Sequence, residues 1–518
     1  MGQPTQGVIA AGHPLTAAAG ADMLRQGGNA FDAAVAAVFT ACVTESTLTS
    51  VAGGGFLLAH TAEGEDVLFD FFCQTPAAKN IGKPPDFYPI QANFGDAVQE
   101  FHVGLGSMAV PGNLAGLLTV HRRLGRLPLA AVVEPAVHWA KQGVEIDEFR
   151  AYCFELLAPI LTATAGARAF YAPQGHLLRQ GDCLAMPEFA DFLTRLIKAG
   201  PEDFYQGELA QQIVYDCQQA GGYLSLTDLQ NYRVIERKPL SIRYRGTTLL
   251  TNPPPSTGGT LIAFALKVLE QAPVNSLQPG SPAYLALLRE AMSLTNQARR
   301  DGYDANLYQA NIAEWFLGES HLAYYHDSYR GAVNKWGSTT HVSVVDGEGN
   351  AASVTTSNGE GSSYVIPGTG IMVNNMLGEE DLNPQGFHQW QPNQRISSMM
   401  APTMVLQGNR PQLVMGSGGS NRIRTAILQV ILNTVDFGMS LEEAVSAPRV
   451  HWERDTFHLE PGFDRAALEA ASVGMADKKI WWQQPNMFFG GVHSVAIQSD
   501  GSLMGAGDAR RAGAIAQP

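Results

Sequence analysis

Apolar residues recur at helical spacing from Leu15 to Gln26, and Gly27-Gly28 ends that pattern. Asn29 follows as a cap residue, and the spacing predicts a second helix from Ala30 to about Thr44. That helix is apolar nearly all round and should be buried. Gly53-Gly54-Gly55 then leads into an apolar run from Phe56 to His60, Thr61 to Asp66 turns the chain, and Val67 to Phe72 returns, which is a hairpin pattern. From Pro111 to Arg330 the pattern is mostly helical, with Leu114–Leu124, Glu188–Ala199 and Leu261–Gln271 as examples. After Gly331 it changes to strands. His341–Asp346 and Ala351–Thr356 flank a turn at Gly347 to Asn350, and Thr403–Gln407 and Gln412–Met415 flank one at Gly408 to Pro411. Val492–Gln498 and Leu503–Ala506 flank Asp500-Gly501, and an amphipathic helix spans about Arg422 to Val435. Hairpins separated by helices predict sheets covered by helical layers. No Pro/Ser linker, low-complexity tract or fixed-period repeat divides the chain.

Composition narrows the function. The 518 residues are 45% apolar and 16% charged, with 34 Lys plus Arg against 48 Asp plus Glu, a net charge of −14. So acidic a chain, with no basic cluster, argues against nucleic acid and anionic membrane as partners. The start, Met1-Gly2-Gln3-Pro4, has no basic and apolar leader pattern, and Ala33–Val43 is too short to span a bilayer. The five cysteines are Cys42, Cys73, Cys153, Cys183 and Cys217; the odd count without CxxC spacing predicts neither a disulfide framework nor a zinc site. A reducing cytoplasm is the expected location. No HExxH, Walker A or GxSxG occurs, and the thirteen histidines, His13 and His388 among them, show no ligand spacing, so no metal or cofactor is expected.

Three features of the last third carry candidate chemistry. Ser338-Thr339-Thr340-His341 opens a strand. A threonine there is ordinary for a β-branched residue, but if the bond before Thr339 were cut, one residue would own both a hydroxyl and an α-amine. An α-amine has a pKa of about 7.7–8.0, so near neutrality it can serve as the base for its own hydroxyl. Gly416-Ser417-Gly418-Gly419-Ser420-Asn421 joins a strand to a helix, which reads equally as a tight turn or as an oxyanion site. Arg395-Ile396-Ser397-Ser398-Met399 offers adjacent hydroxyls, either turn residues or donors to a carboxylate.

Taken together the chain resembles the γ-glutamyltransferase (γ-glutamyltranspeptidase) family of N-terminal-nucleophile hydrolases. The likeness runs nearly end to end through Gln26-Gly27-Gly28-Asn29-Ala30, Gly53-Gly54-Gly55-Phe56, Val110-Pro111-Gly112, Leu226-Thr227-Asp228-Leu229, Asn252 to Gly259, Thr339 to Asp346, Asn374-Asn375, Ser397-Ser398-Met399, Pro402-Thr403, Gly416 to Ser420 and Asp508. The resemblance implies an α+β fold, a four-layer αββα sandwich built from both halves of a proenzyme that cuts itself between Ser338 and Thr339. The products would be segments 1–338 and 339–518, a heterodimer of one structural domain, acting on a small-molecule amide without a cofactor. Thr339 would be nucleophile and base, Ser357 a supporting hydroxyl, and Gly418 and Gly419 the oxyanion pair. Ser397 and Ser398 would hold a substrate carboxylate, and Glu379 or Glu380 its amine.

The chain departs from the family at the substrate end. Where the family has Asp-Phe-Arg-Glu, this chain has Asp70-Phe71-Phe72-Cys73, so Phe72 replaces the carboxylate-binding arginine and Cys73 the glutamate. A charge-assisted contact is worth about 1.5–3 kcal/mol, so glutamyl binding should weaken at least about tenfold. The family's asparagine near the nucleophile falls on Gly359, beside Asn358, and Asp381 to Gln394 is shorter than the lid of some members. A γ-glutamyl compound such as glutathione is the family's default substrate. The alternatives are an oxamate-like or other non-glutamyl acyl amide, and a non-catalytic scaffold. Acyl donor, hydrolysis against transfer, and oligomeric state stay open.

Overall fold

The computed structural model describes residues 3–79, 82–93, 98–325, 339–383 and 385–518. Both N-terminal helices begin where their capping chemistry puts them. Pro14–Arg25 opens on His13, whose ring Nδ1 accepts the Leu15 N–H at 3.0 Å. Burial lowers the His13 pKa to about 3, which keeps that nitrogen free to accept. Ala30–Thr44 opens on Asn29 with a reciprocal capping box to Asp32, and all of its residues are buried.

Two large sheets lie at the centre. The first runs in the order Ala514–Ala516, Gly7–Ala11, Thr340–Asp346, Ala351–Ser357, Gly54–His60, Asp66–Phe71 and Ile235–Arg237, with each neighbouring pair antiparallel. The second runs Leu503–Ala506, Gly491–Ile497, Arg410–Gly418, Thr403–Gln407, Thr247–Thr251 and Leu240–Tyr244. The anticipated hairpins are all present. Some strands were not anticipated. Leu240–Tyr244 and Thr247–Thr251 lie inside the stretch whose pattern is mostly helical, and form a five-residue pair turning at Arg245 and Gly246, both with positive φ. Gly7–Ala11 is buried on both faces, so it carries no alternation to read.

Residues on the first sheet alternate between two cores. Ile9, Leu57, Ala59, Val342, Val344 and Val354 join the core that contains the Ala30–Thr44 helix. Val8, Ala10, Phe56, Leu58 and Val345 join the core shared with the second sheet and the Gly258–Glu270 and Arg422–Ile431 helices. Polar links tie the two sheets together. The Ser343 hydroxyl donates to the His493 carbonyl at 3.0 Å, and the Ser353 hydroxyl to the Met415 carbonyl at 2.9 Å. A Cβ on Gly416 would come within 2.4 Å of the His341 ring, so that glycine allows the sheets to close. The five cysteines are free, and Cys183 alone of them is exposed. No helix among the described residues is long and apolar enough to cross a membrane.

Candidate active site

Thr339 stands at the head of the Thr340–Asp346 strand and is 5% exposed. That strand pairs Thr340 with Thr356, so continuing the register sets Ser357 across from Thr339. Both line one cavity. The next residue is pinned from below: Thr340 Oγ1 donates to Glu45 Oε2 at 2.5 Å, and burial raises the pKa of that carboxyl. The Thr339 carbonyl accepts from Arg511 Nη1 at 3.1 Å.

The glycine loop closes on the same point. A Cβ on Gly418 would lie 2.2 Å from the Thr339 carbonyl oxygen, so only glycine lets the two backbones approach. Gly419 has φ +120° and Ser420 φ +48°, a sharp reversal before the Arg422–Ile431 helix. Ser420 lines the cavity, and its hydroxyl donates to Asp381 Oδ2 at 2.5 Å, which ties the loop to the opposite wall.

That wall is the segment after Asn374-Asn375. The Asn374 side chain bonds the backbone of Ala52, Ala109 and Met376, and Asn375 Oδ1 accepts the N–H groups of Glu360 and Gly361. These asparagines hold the turn that carries Glu379. Glu379 lines the cavity, whereas Glu380 is exposed and does not. Burial first, then the charges of Glu360 and Asp381, holds the Glu379 carboxyl well above the usual carboxylate range. Gly359, at the family's asparagine position, has φ +62°, and a Cβ there would meet Asn375 Oδ1 at 2.1 Å and Glu379 Oε1 at 2.2 Å. Asn358 is buried, with Nδ2 on the Met372 carbonyl at 3.3 Å, and does not line the cavity.

The serine pair is divided. Ser398 lines the Thr339 cavity, and its carbonyl accepts from Thr257 N–H at 2.7 Å and the Ser256 hydroxyl at 2.8 Å. Ser397 shares a hydrogen bond of 2.8 Å with Thr257 Oγ1 and lines a neighbouring cavity. The Asn252–Gly259 motif is the bed for this turn: a Cβ on Gly258 would sit 2.0 Å from the Met399 carbonyl.

Phe72 is in the cavity wall, 1% exposed and stacked on Phe56 with ring centroids 5.4 Å apart. A guanidinium does lie behind it. Arg395 bonds the Phe72 carbonyl, the Tyr232 hydroxyl at 2.6 Å and the Arg233 carbonyl at 2.7 Å, and pairs with Asp70 at 3.3 Å. It serves the backbone and does not line the cavity. Cys73 beside it is buried, which pushes its thiol pKa far up. Ser338 lies outside the described residues. Sequence reasoning did not single out Arg511, Asp381 or Glu45. Arg511 follows the motif residue Asp508 by three positions, which is a usable signal; the other two meet the site through the fold alone.

The family model described as Gamma-glutamyltranspeptidase matches residues 16–517. The chain is 32% identical to the acylase ACY 1 proenzyme of Pseudomonas sp. (strain SE83), over 97% of this chain and 92% of that one. It is 31% identical to the glutathione hydrolase proenzyme of Escherichia coli (strain K12), over 98% and 90%. A crystal structure of cephalosporin acylase from Bacillus halodurans superposes with a TM-score of 0.86 at 26% identity, covering 99% of this chain and 96% of that one. Arrangement, family match and relatives agree that this chain belongs to the gamma-glutamyltranspeptidase family, as an N-terminal-nucleophile hydrolase.

Proposed function

We propose that this chain is a self-processing threonine amidohydrolase whose acyl site takes a group without the α-carboxylate of glutamate. In processing, Thr339 Oγ attacks the carbonyl of residue 338; the amide becomes an ester, and water releases the ester to leave segments 1–338 and 339–518. The freed Thr339 α-amine then accepts the hydroxyl proton as Oγ attacks the substrate carbonyl. Backbone N–H groups at Gly418 and Gly419 take the developing oxyanion, and Ser357 orients the nucleophile. The amine product leaves with the proton, and water or a second amine resolves the acyl ester on Thr339. The alternation of the first sheet between two cores supports a four-layer αββα arrangement for this fold.

The observation that carries the acyl reading is the cavity lining. Among the described residues, Phe72, Met376, Leu382, Met399, Met400 and Ile423 make it apolar, its ionisable side chains are the carboxyls of Glu379 and Asp381, and no lysine, arginine or histidine side chain lines it. Burial raises both carboxyl pKa values, and among the described residues no side-chain cation of the lining stands ready to pair with a substrate carboxylate. Sequence similarity to an acylase proenzyme points the same way. A γ-glutamyl substrate is the second reading. It is favoured by Ser398 and Glu379 in the same cavity and by similarity to a glutathione hydrolase.

Three measurements test this. Mass spectrometry of the mature protein should find a new N-terminus at Thr339, and Thr339→Ala should give one full-length band on a denaturing gel; a variant that still splits, or an uncut wild type that is active, refutes the nucleophile, and an inactive wild type that stays uncut on incubation establishes the scaffold reading. Butyryl-p-nitroanilide should be cleaved with at least about tenfold higher kcat/KM than γ-glutamyl-p-nitroanilide. The reverse order establishes the glutamyl reading.

A further inference from the structure

A second, larger cavity lies beside the one that holds Thr339. Leu382 lines both, and the serine pair straddles the junction, Ser398 on one side and Ser397 on the other. Thr339, Ser357 and Ser420 line only the first. During turnover the acyl group stays bonded to Thr339 Oγ while the amine departs, so the first cavity is the acyl cavity. It is the smaller of the two spaces, and Leu382 is the side chain at which the two linings meet.

The chemistry beyond the junction differs. Trp390 and Tyr308 supply rings, and Gln385, Gln391 and Gln394 supply primary amides. Asp304, the acid in this lining, is held by Arg299 Nε at 2.8 Å. Trp390 is 8% exposed, and among the described residues its buried indole N–H has no acceptor. Its ring is braced by Tyr223 edge-on at 5.6 Å and by the Lys79 ammonium 4.9 Å from its centroid. A buried donor without a partner is costly, and a ligand acceptor would relieve it. We propose that this second cavity is a distal acyl subsite, which receives an acyl chain ending in an uncharged planar hydrogen-bond acceptor, such as a carboxamide, against Trp390. This rests on the amidohydrolase reading above and extends it to substrate length and terminal chemistry.

The test compares two p-nitroanilides with the same leaving group: butyryl, and an eight-carbon acyl chain ending in a carboxamide. Trp390→Phe keeps a ring and removes the N–H. It should lower kcat/KM for the long chain about tenfold and leave butyryl unchanged. Calorimetric binding of the methyl ketones of both chains, which have no amide to cut, should show the same Trp390 dependence. Equal losses on both chains, no loss on either, or a loss that tracks the size of the amine at constant butyryl would overturn the proposal; the last would make the cavity an amine subsite. Trp390-dependent binding of the long ketone without cleavage of any amide would refute the amidohydrolase reading and keep the subsite.

Discussion

In the proposed reading, substrate class turns on Phe72. It occupies a wall facing two carboxyls, and the nearest guanidinium, on Arg395, is spent on the Phe72 carbonyl, Tyr232 and Asp70. Phe72→Arg should therefore shift selectivity towards γ-glutamyl-p-nitroanilide by about tenfold relative to butyryl-p-nitroanilide, measured as the ratio of kcat/KM values. An unchanged ratio would mean that Phe72 does not set the preference. Glu379 makes a pH prediction. Its native pKa is raised, so between the ordinary carboxylate pKa and the native one the folded state holds a proton that the unfolded chain has lost. Stability from this group is thus present at low pH and declines as pH rises through that window. Glu379→Gln removes the dependence, so its melting-temperature advantage over wild type should grow from about pH 5 to about pH 8. A flat difference would show that Glu379 titrates normally.

The elements around Thr339 are joined by a few short turns, each fixed by backbone geometry. The turn after the Ala351–Ser357 strand places Gly359 so close to Asn375 Oδ1 and Glu379 Oε1 that any side chain there would force one or both of them to shift. Replacing it by the family's residue, Gly359→Asn, should thus not restore a family-like site. It should cost about 1–3 kcal/mol from the positive φ and more from the overlap, read as a lower melting temperature. A variant as stable as wild type would show that the Glu379 turn can move aside. Across the cavity, the Ser420–Asp381 bond makes the glycine loop and the Glu379 segment one mechanical unit.

At the scale of the molecule, both sheets mix strands from the two sides of residue 339. Gly7–Ala11 lies between Ala514–Ala516 and Thr340–Asp346, and Thr247–Thr251 pairs with Thr403–Gln407. Cutting before Thr339 therefore severs the chain without opening a sheet. Processed protein should run as one species on native gel filtration, with segments near two-thirds and one-third of the chain separating only in denaturant. Free segments under native conditions would contradict this strand order. The C-terminal end is anchored as firmly: buried Asp508 pairs with Arg449 at 2.6 Å and with Arg510 at 3.2 Å, which holds its carboxyl far below the usual range. That anchor places Arg511 on the Thr339 carbonyl.

Local chemistry was legible wherever it acts over a few residues. Asn29 with Asp32, the glycine-marked turns and the alternating strands after residue 339 fixed where those elements begin and end, because caps, φ preferences and period-two burial are short-range. The Thr339 strand, the glycine loop and Ser398 were legible as candidates, since each leaves a contiguous motif. What the linear chain could not decide is which of several equivalent side chains meet in space. Glu379 rather than Glu380 faces the cavity, Ser397 and Ser398 look into different ones, and Arg395 is consumed by carbonyls. Those outcomes depend on contacts between residues that are hundreds of positions apart, set by how two sheets and their turns pack, and only the folded chain brings such residues within reach of one another.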